Sequence, residues 1–306
     1  MDDAAWRHRT GGLRQAAGDV DIRYSTVPAR IKQDAEGVDV TLANTVDGTS
    51  VTERFDLVVG ADGLRSTVRQ LAFGPHEKLL RRLNYIVAAY QLRGPVSDVA
   101  SDDGAILLEP DRSMWIFPFA DHPPTVLLSY RTDDVDAEFS ASPTERVRAA
   151  FGRGPTGRAL GEALDALESA DDLLFDSVEQ VHMDRWHRGR VVLVGDSAWC
   201  VTLYAGMGAS AGLAGADLLG TMLDSHPGNV GRALAEWEHV LRPYVEHYQH
   251  NGAQQRKFFV PANRLQLAIR KVMTKGMRTP VTSRVIRRLQ AKSKTARFKE
   301  MDIARA

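Results

Sequence analysis

Alternating apolar and polar positions near the start of the chain predict a β-hairpin. Residues 38–42 place Val38, Val40 and Leu42 on one face, the pattern of a strand with one buried side. Asp47-Gly48 follows and is a strong hairpin turn signal, so residues 49–55 are predicted to be the partner strand.

Two continuous apolar runs have a different pattern. Residues 55–60 (FDLVVG) and 190–195 (RVVLVG) lack alternation, which is typical of strands buried on both faces of a parallel sheet. Ser66 is expected to open a short helix over 67–71 after the first run. A helix over 207–223 is predicted after the second, behind a glycine-rich loop.

The region between these runs predicts a separate antiparallel or mixed sheet, because strand-like segments alternate with proline and glycine turns. Its strands are expected at residues 84–92, 105–108, 113–119 and 125–131. Ser142-Pro143-Thr144-Glu145 has the residues of a helix start with a capping box. Beyond the second run, residues 232–249 are amphipathic, and basic helices are predicted at 264–273 and 283–292.

Composition places the chain among globular proteins. Its 306 residues include 43% hydrophobic and 25% charged residues, with 39 basic and 39 acidic side chains. Neither a secretory signal nor a transmembrane run is evident. The single cysteine, Cys200, excludes an intramolecular disulfide and a cysteine-cluster metal site. We therefore expect a cytoplasmic protein.

The zero net charge conceals a basic C-terminal segment. Residues 254–306 hold 15 lysine and arginine residues against Glu300 and Asp302, a net charge of +13. Such a segment could bind nucleic acid or an anionic membrane, and its ordinary interpretation is a solvated helical face that packs through Leu265, Leu267, Ile269 and Val272. Nucleic acid is not expected, since the segment lacks interleaved aromatic residues and a known nucleic-acid module.

The first motif with a chemical meaning follows the first apolar run. Gly60-Ala61-Asp62-Gly63-Leu64-Arg65-Ser66 places a carboxylate where open α/β sheets bind ligands, at the carboxyl end of a strand. The alternative interpretation is a tight turn in which Asp62 caps the following helix through Ser66.

The second motif follows the second run. Gly195-Asp196 is succeeded by Gly206-Met207-Gly208 at a predicted helix start, where free N–H groups favour an anionic or polar ligand. Asp196 can accept hydrogen bonds from sugar-type hydroxyls. The alternative is close packing of a helix rich in glycine and alanine on the sheet.

Both motifs in this order, separated by a β-rich insert, resemble those of the FAD-dependent aromatic-ring monooxygenases, the para-hydroxybenzoate hydroxylase-like and tetracycline-inactivating class. DLVVGADGLRSTVR (56–69) is similar to the "DG" motif of that family, and GRVVLVGDSAWC…AGMG (189–208) to its "GD" motif. The approach to the second motif, residues 176–191, is also similar. The resemblance covers about residues 10 to 250.

The resemblance implies an α/β fold: a truncated, Rossmann-like FAD-binding domain of the glutathione-reductase type, with an inserted β-sheet substrate domain and C-terminal helices. The implied division is 1–75, first part of the FAD-binding domain; 76–185, substrate domain; 186–250, second part of the FAD-binding domain; and 251–306, basic helical segment.

The resemblance also implies site residues. FAD would be held by Asp62, Gly63, Arg65, Gly195, Asp196, Gly206, Met207, Gly208 and Ala209, with Asp62 and Arg65 handling dinucleotide and Asp196 the ribityl hydroxyls. Trp115, Phe117 and Leu203 are candidates for the pocket of an aromatic or polyketide-like substrate, although a plain sheet core is an equal interpretation of the aromatic residues. NADPH or NADH would be the reductant and O2 the co-substrate. Because FAD performs the hard step, neither a protein nucleophile nor a metal is expected.

The sequence departs from the family in three places. The GxGxxG unit with which the family begins is not found, Trp199 stands where the family has His or Tyr, and Leu203 stands where it has Pro. A late start site, a short paralogue completed by a partner chain and an inactive remnant would each explain the first departure. The alternative function is therefore a non-catalytic binding or assembly protein.

The remaining polar candidates have ordinary interpretations. Cys200 is expected to be a small buried thiol rather than a reactive one. His182 and His187 are too scattered for a metal pair and are expected to be surface or packing residues.

Overall fold

The computed structural model describes residues 18–100, 102–152 and 156–277 of the chain. The chain divides into two compact units between Asp56 and Leu57. The four-part division expected from the family resemblance stays a prediction.

The first unit is a three-stranded antiparallel sheet of β1 (Thr26–Gln33), β2 (Val38–Asn44) and β3 (Ser50–Phe55), in that spatial order. The predicted hairpin is confirmed, because β2 pairs with β3 and Gly48 has a φ of 72° in the connecting turn. Val38 and Val40 are buried, as the alternation indicates.

The second unit contains all the other elements. In chain order they are β4 (Val58–Gly60), α1 (Thr67–Phe73), α2 (His76–Leu79), β5 (Leu80–Gln91), β6 (Ala105–Glu109), β7 (Arg112–Phe117), β8 (Thr125–Arg131), α3 (Val135–Glu138), α4 (Pro143–Phe151), α5 (Arg158–Leu167), β9 (Leu174–Val181), β10 (His187–Arg188), β11 (Val191–Leu193), α6 (Asp196–Trp199), α7 (Gly208–Ser225), α8 (Val230–Phe259) and α9 (Arg264–Met277). A short 3-10 helix, Leu203–Ala205, precedes α7.

The predicted insert is a five-stranded sheet in the order β6-β7-β8-β5-β9, and every pairing in it is antiparallel. One face forms a core with α4 and α5, in which Met114 and Ile116 of β7 lie among buried aliphatic residues such as Val147 and Leu164. The capping box that begins α4 is present: the side chain of Ser142 accepts from the amide of Glu145, and the Glu145 carboxylate accepts from the amide of Ser142.

The two apolar runs pair in parallel, with Val58 opposite Val191 and Gly60 opposite Leu193. All three residues of β11 are fully buried. The expectation that the first run is buried on both faces is wrong. The run is divided between β3 and β4, and Val59 is 46% exposed. Among the described residues β4 pairs only with β11, and side chains alternate across a strand, so Val59 projects from an edge strand.

The helices after β11 begin close to the predicted positions, but α8 extends ten residues beyond the predicted end, to Phe259. Its buried stripe includes Trp237, Leu241, Tyr244 and Tyr248, which confirms the amphipathic pattern. The basic helix predicted at 264–273 is present as α9, and the one predicted at 283–292 lies outside the described residues.

Candidate functional site

Asp62 of the first motif acts as a helix cap in the structure. The Ser66 hydroxyl donates to Asp62 Oδ1 at 2.5 Å, and the Val68 amide donates to Asp62 Oδ2 at 3.0 Å. Ser66 in turn accepts from the Arg69 amide as the N-cap of α1. Gly63 supplies the turn with a φ of 78°. The capping interpretation thus describes these contacts, and a dinucleotide role for Asp62 stays a prediction.

Arg65 connects the same turn to the five-stranded sheet. Its guanidinium donates to Glu179 at 3.0 Å and to Asp176 and Ser177 at 2.9 Å, all on β9. The Glu179 side chain is 3% exposed and that of Arg65 is 46% exposed. Together with His76 and Arg82 these groups line a cavity of about 340 Å³. Arg65 therefore fixes the position of the turn relative to β9.

Arg69 joins the two motifs and was not among the residues predicted from sequence. Its fully buried guanidinium donates to the carbonyl oxygen of Ser197 at 2.7 Å and to that of Leu64 at 2.6 Å. Loss of water on burial lowers the pKa of Arg69 from its ordinary value. The sequence shows only that an arginine lies one turn after the helix cap. It does not indicate that Ser197, 128 positions away, is the hydrogen-bond partner of this arginine.

Ser197 makes a second connection between the motifs. Its hydroxyl lies 2.6 Å from the carbonyl oxygen of Gly60 and 2.7 Å from that of Val194. A side chain on Gly60 would place a β-carbon 2.6 Å from Leu193 and 2.8 Å from Val68, so the glycine permits this close approach of backbone. The two motifs are thereby held side by side, although Gly60 and Ser197 lie 137 positions apart in sequence.

Within the second motif, Asp196 and the start of α7 lie close together. Asp196 Oδ1 is 3.8 Å from the position that a β-carbon on Gly208 would occupy. Gly195, with a φ of 69°, approaches Gly212 one turn into α7. The N-cap Met207 provides no side-chain hydrogen bond, so the first amides of α7 lack a capping side chain. A carboxylate thus stands beside an uncapped helix N-terminus, which is an electropositive end.

The carboxyl of Asp196 has a raised pKa. Loss of water around the group raises it, and a hydrogen bond with Cys200 acts in the opposite direction. Cys200 itself is buried, its Sγ lies 3.6 Å from the carbonyl oxygen of Glu179, and burial raises the pKa of the thiol to about 12. The expectation of an unreactive buried thiol agrees with this environment.

The two residues that depart from the family occupy different surroundings. Trp199 is fully buried and packs against Trp186 and Trp237, at ring-centroid distances of 4.7 and 5.8 Å. Leu203 is 38% exposed at the start of the 3-10 helix. Between them Thr202 has a φ of 76°, an unfavourable conformation for a β-branched residue and one that the sequence pattern did not indicate.

Two of the three predicted substrate residues, Trp115 and Phe117, lie on the sheet face opposite the core, whereas Leu203 lies in the 3-10 helix. Trp115 and Phe117 stack at 6.2 Å, as the alternation indicates. The ring of Phe259 in α8 lies between those of Trp115 and Tyr204, at centroid distances of 4.9 and 5.4 Å. Tyr204 follows Leu203 directly, so the structure brings this aromatic face and the loop of the second motif together. Tyr204 and Phe259 were missed because their pairing depends on the fold.

The histidines singled out in the sequence are packing residues. His182 Nε2 lies 3.0 Å from Oε1 of Gln180, and burial lowers the pKa of His182 to about 4. His187 lies 3.6 Å from Glu238, and burial lowers its pKa as well. Within the described ranges, no cluster of three or more His, Cys, Asp or Glu side chains has the arrangement of a metal site. No helix in this part of the chain combines the length and the apolar character needed to cross a bilayer.

Comparison with known proteins agrees with this arrangement. The model of the family described as "FAD binding domain" matches residues 12–232. An uncharacterized protein of Mycobacterium tuberculosis is 30% identical over 240 residues, which is 75% of this chain and 60% of the relative. A protein named flavin-dependent monooxygenase, from an unknown prokaryotic organism, is 26% identical over 250 residues, 78% of this chain and 60% of its own length.

Among solved structures, the crystal structure of a tetracycline destructase superposes with a TM-score of 0.67 at 26% identity, covering 86% of this chain and 69% of the other. The chain spans 60% of the length of the curated relatives cited above. Since the family model covers more than two thirds of the chain, the chain belongs to the FAD-binding domain family of flavoprotein monooxygenases.

Proposed function

We propose that the chain acts as an FAD-dependent monooxygenase that uses NADPH or NADH to hydroxylate an aromatic or polyketide-like small molecule with O2. The observation that carries the proposal is the position of Asp196 against the uncapped start of α7. A carboxylate accepts hydrogen bonds from hydroxyls, and free helix amides bind a phosphate or another electron-rich group. One ligand that offers both kinds of group is a flavin dinucleotide.

The residues present fit that ligand. Gly206, in the left-handed conformation with a φ of 63°, and Gly208 place no side chain at their own positions at the start of α7. Asp196 would hold the ribityl hydroxyls, and Gly195, Met207 and Ala209 would contribute backbone around the flavin. A buried and hydrogen-bonded Ser197 keeps this segment rigid.

The first motif would contribute through its backbone more than through its charged side chains. The side chain of Asp62 is engaged by α1 and that of Arg65 by β9, whereas a β-carbon on Gly63 would meet no atom within 4 Å, so its backbone is open to FAD. We assign Arg65 to the entry of the nicotinamide dinucleotide because half of its side chain stays exposed in the cavity that it lines.

The substrate would bind against the aromatic face of the sheet. Trp115 and Phe117 keep exposed surface there, Leu203 keeps it in the 3-10 helix of the second motif, and flat aromatic rings favour a flat, apolar ligand. Bound FAD supplies the redox chemistry, accepting hydride from the nicotinamide and activating O2. The part played by the chain is to orient the substrate and to exclude water. We place the protein in the cytoplasm, where NADPH and NADH are available.

Flavin binding tests the proposal directly. The purified chain is titrated with FAD and followed by flavin absorbance and by a thermal shift, and FAD-dependent oxidation of NADPH is then measured. Asp196→Ala should weaken binding by at least about tenfold, whereas Asp224→Ala, an exposed aspartate at the far end of α7, should leave it unchanged. A chain that shows neither flavin absorbance nor a thermal shift with FAD contradicts the proposal and favours the binding or assembly alternative.

A further inference from the structure

Helix α9 exposes an aliphatic stripe. The exposed fractions of Leu265, Ile269 and Val272 are 69%, 51% and 71%. Spacings of four and three residues place these side chains on one face of the helix. Amphipathic helices on a protein surface normally turn their apolar face towards the core. An apolar stripe exposed to water is unfavourable in free energy and often marks a binding surface.

The opposite face of α9 attaches the helix to the protein. The Arg270 guanidinium stacks over Phe258 at 3.9 Å and over Trp115 at 5.3 Å. Gln266 accepts a hydrogen bond from the amide of Ala262 at 2.9 Å. The Gln266 bond closes the turn that leads into α9, and the Arg270 contacts hold the helix with its aliphatic side exposed.

The charges around the stripe have one sign. Arg264 and Lys271 are exposed on α9, and the helix contains no Asp or Glu. From residue 254 onward the sequence holds 15 basic and two acidic residues. An aliphatic face bordered by cations, on a helix of low mean hydropathy, matches the surface of an anionic bilayer. Nucleic acid offers nothing for the three aliphatic side chains, and a typical protein partner does not require this excess of positive charge.

We propose that α9 binds the surface of membranes that contain anionic lipids. Leu265, Ile269 and Val272 enter the region between the headgroups and the acyl chains, while Arg264 and Lys271 contact lipid phosphates and carboxylates. The helix lies in the plane of the interface and the rest of the second unit stays in water. This binding does not require FAD, because the three aliphatic side chains and the two cations all belong to α9.

Flotation of the full chain with vesicles tests the proposal. The chain should float with vesicles of phosphatidylcholine and phosphatidylserine, bind less with phosphatidylcholine alone, and be released by high salt. Replacing Leu265, Ile269 and Val272 together by Gln should weaken vesicle binding by at least about tenfold. Lys271→Glu should weaken it by about fivefold or more at low salt.

Two matched variants control for general effects. Val46→Gln removes another exposed aliphatic side chain and Lys32→Glu reverses another exposed lysine, both in the first unit, and neither should change vesicle binding. Circular dichroism checks that each variant is folded. The proposal is overturned if the chain fails to float, if the triple variant floats like the parent, or if the triple change instead abolishes self-association or binding to duplex DNA while vesicle binding is unchanged.

Discussion

The hydroxyl of Ser197 is hydrogen-bonded to the backbone carbonyl oxygen of Gly60 across the parallel strand pair, at 2.6 Å. This bond connects the two motifs by which the family was identified, and it is fully buried. It shows that the motifs form one structural unit, in which the first supports the second.

Ser197→Ala should therefore lower the free energy of unfolding by about 1–3 kcal/mol, because the one hydroxyl proton shared between the carbonyl oxygens of Gly60 and Val194 is lost from a buried site. Chemical denaturation followed by circular dichroism measures the change. Ser225→Ala, which removes an exposed hydroxyl bonded within its own helix, is the control and should change the free energy by less than about 0.5 kcal/mol. Equal losses of free energy in the two variants would show that the bond between the motifs contributes no more to stability than an exposed hydrogen bond within a helix.

Arg69 should be more important for stability than an exposed arginine. Arg69→Met removes two hydrogen bonds from a buried guanidinium to carbonyl oxygens, and we expect a loss of about 3 kcal/mol. Arg158→Met, which breaks an exposed ion pair with Asp98, should cost no more than about 1 kcal/mol. Urea denaturation of both variants checks the difference, and an Arg69 variant as stable as the Arg158 variant contradicts it.

Two glycines in α7 should respond to alanine in opposite ways. At Gly215 a β-carbon would lie 2.9 Å from Trp199 and 3.1 Å from Leu241, so Gly215→Ala should destabilise the protein by about 1–3 kcal/mol through overpacking. At Gly220 no atom lies within 4 Å of the added carbon, so Gly220→Ala should stabilise it by about 0.5–1 kcal/mol. The melting temperatures of the two variants test this prediction. A Gly215→Ala variant that melts higher than the parent would mean that Trp199 can move aside to admit the added carbon.

Asp196→Asn should raise the stability of the protein and weaken its binding of FAD. The folded-state pKa of Asp196 is raised above its unfolded value, so folding favours the protonated carboxyl. The ionised group thus lowers stability as pH rises from the unfolded pKa to the folded pKa, and it stays unfavourable above that window. The Asn variant should melt higher than the parent at neutral pH, equal it at strongly acidic pH, and bind FAD more weakly. Melting curves across pH, together with the FAD titration, test this, and a lower melting temperature at neutral pH would contradict it.

Local features of the sequence predicted much of the fold. The hairpin at Asp47-Gly48 and the capping box at Ser142 depend on neighbours only a few residues away, and both are present. The strand alternation around Trp115 was also readable, because a period of two needs no knowledge of the rest of the protein.

Contacts between residues far apart in the chain could not be predicted from the sequence pattern. Arg69 and Ser197, or Tyr204 and Phe259, meet only because separate elements pack together, and neither composition nor spacing records that packing. The burial of the first apolar run was misjudged for the same reason: the pattern of Val58 and Val59 shows an apolar strand but not how many neighbours the strand has.

The three tryptophans behind Asp196 have a practical consequence. Trp186, Trp199 and Trp237 are in mutual contact and are shielded from water, so their fluorescence is emitted from an apolar environment at the back of the candidate flavin site. Flavins absorb in the region where tryptophan emits, and energy transfer falls steeply with distance. The tryptophans are thus an internal optical reporter: FAD bound in the proposed position should quench their emission, and unfolding should shift it to the red, without any added label.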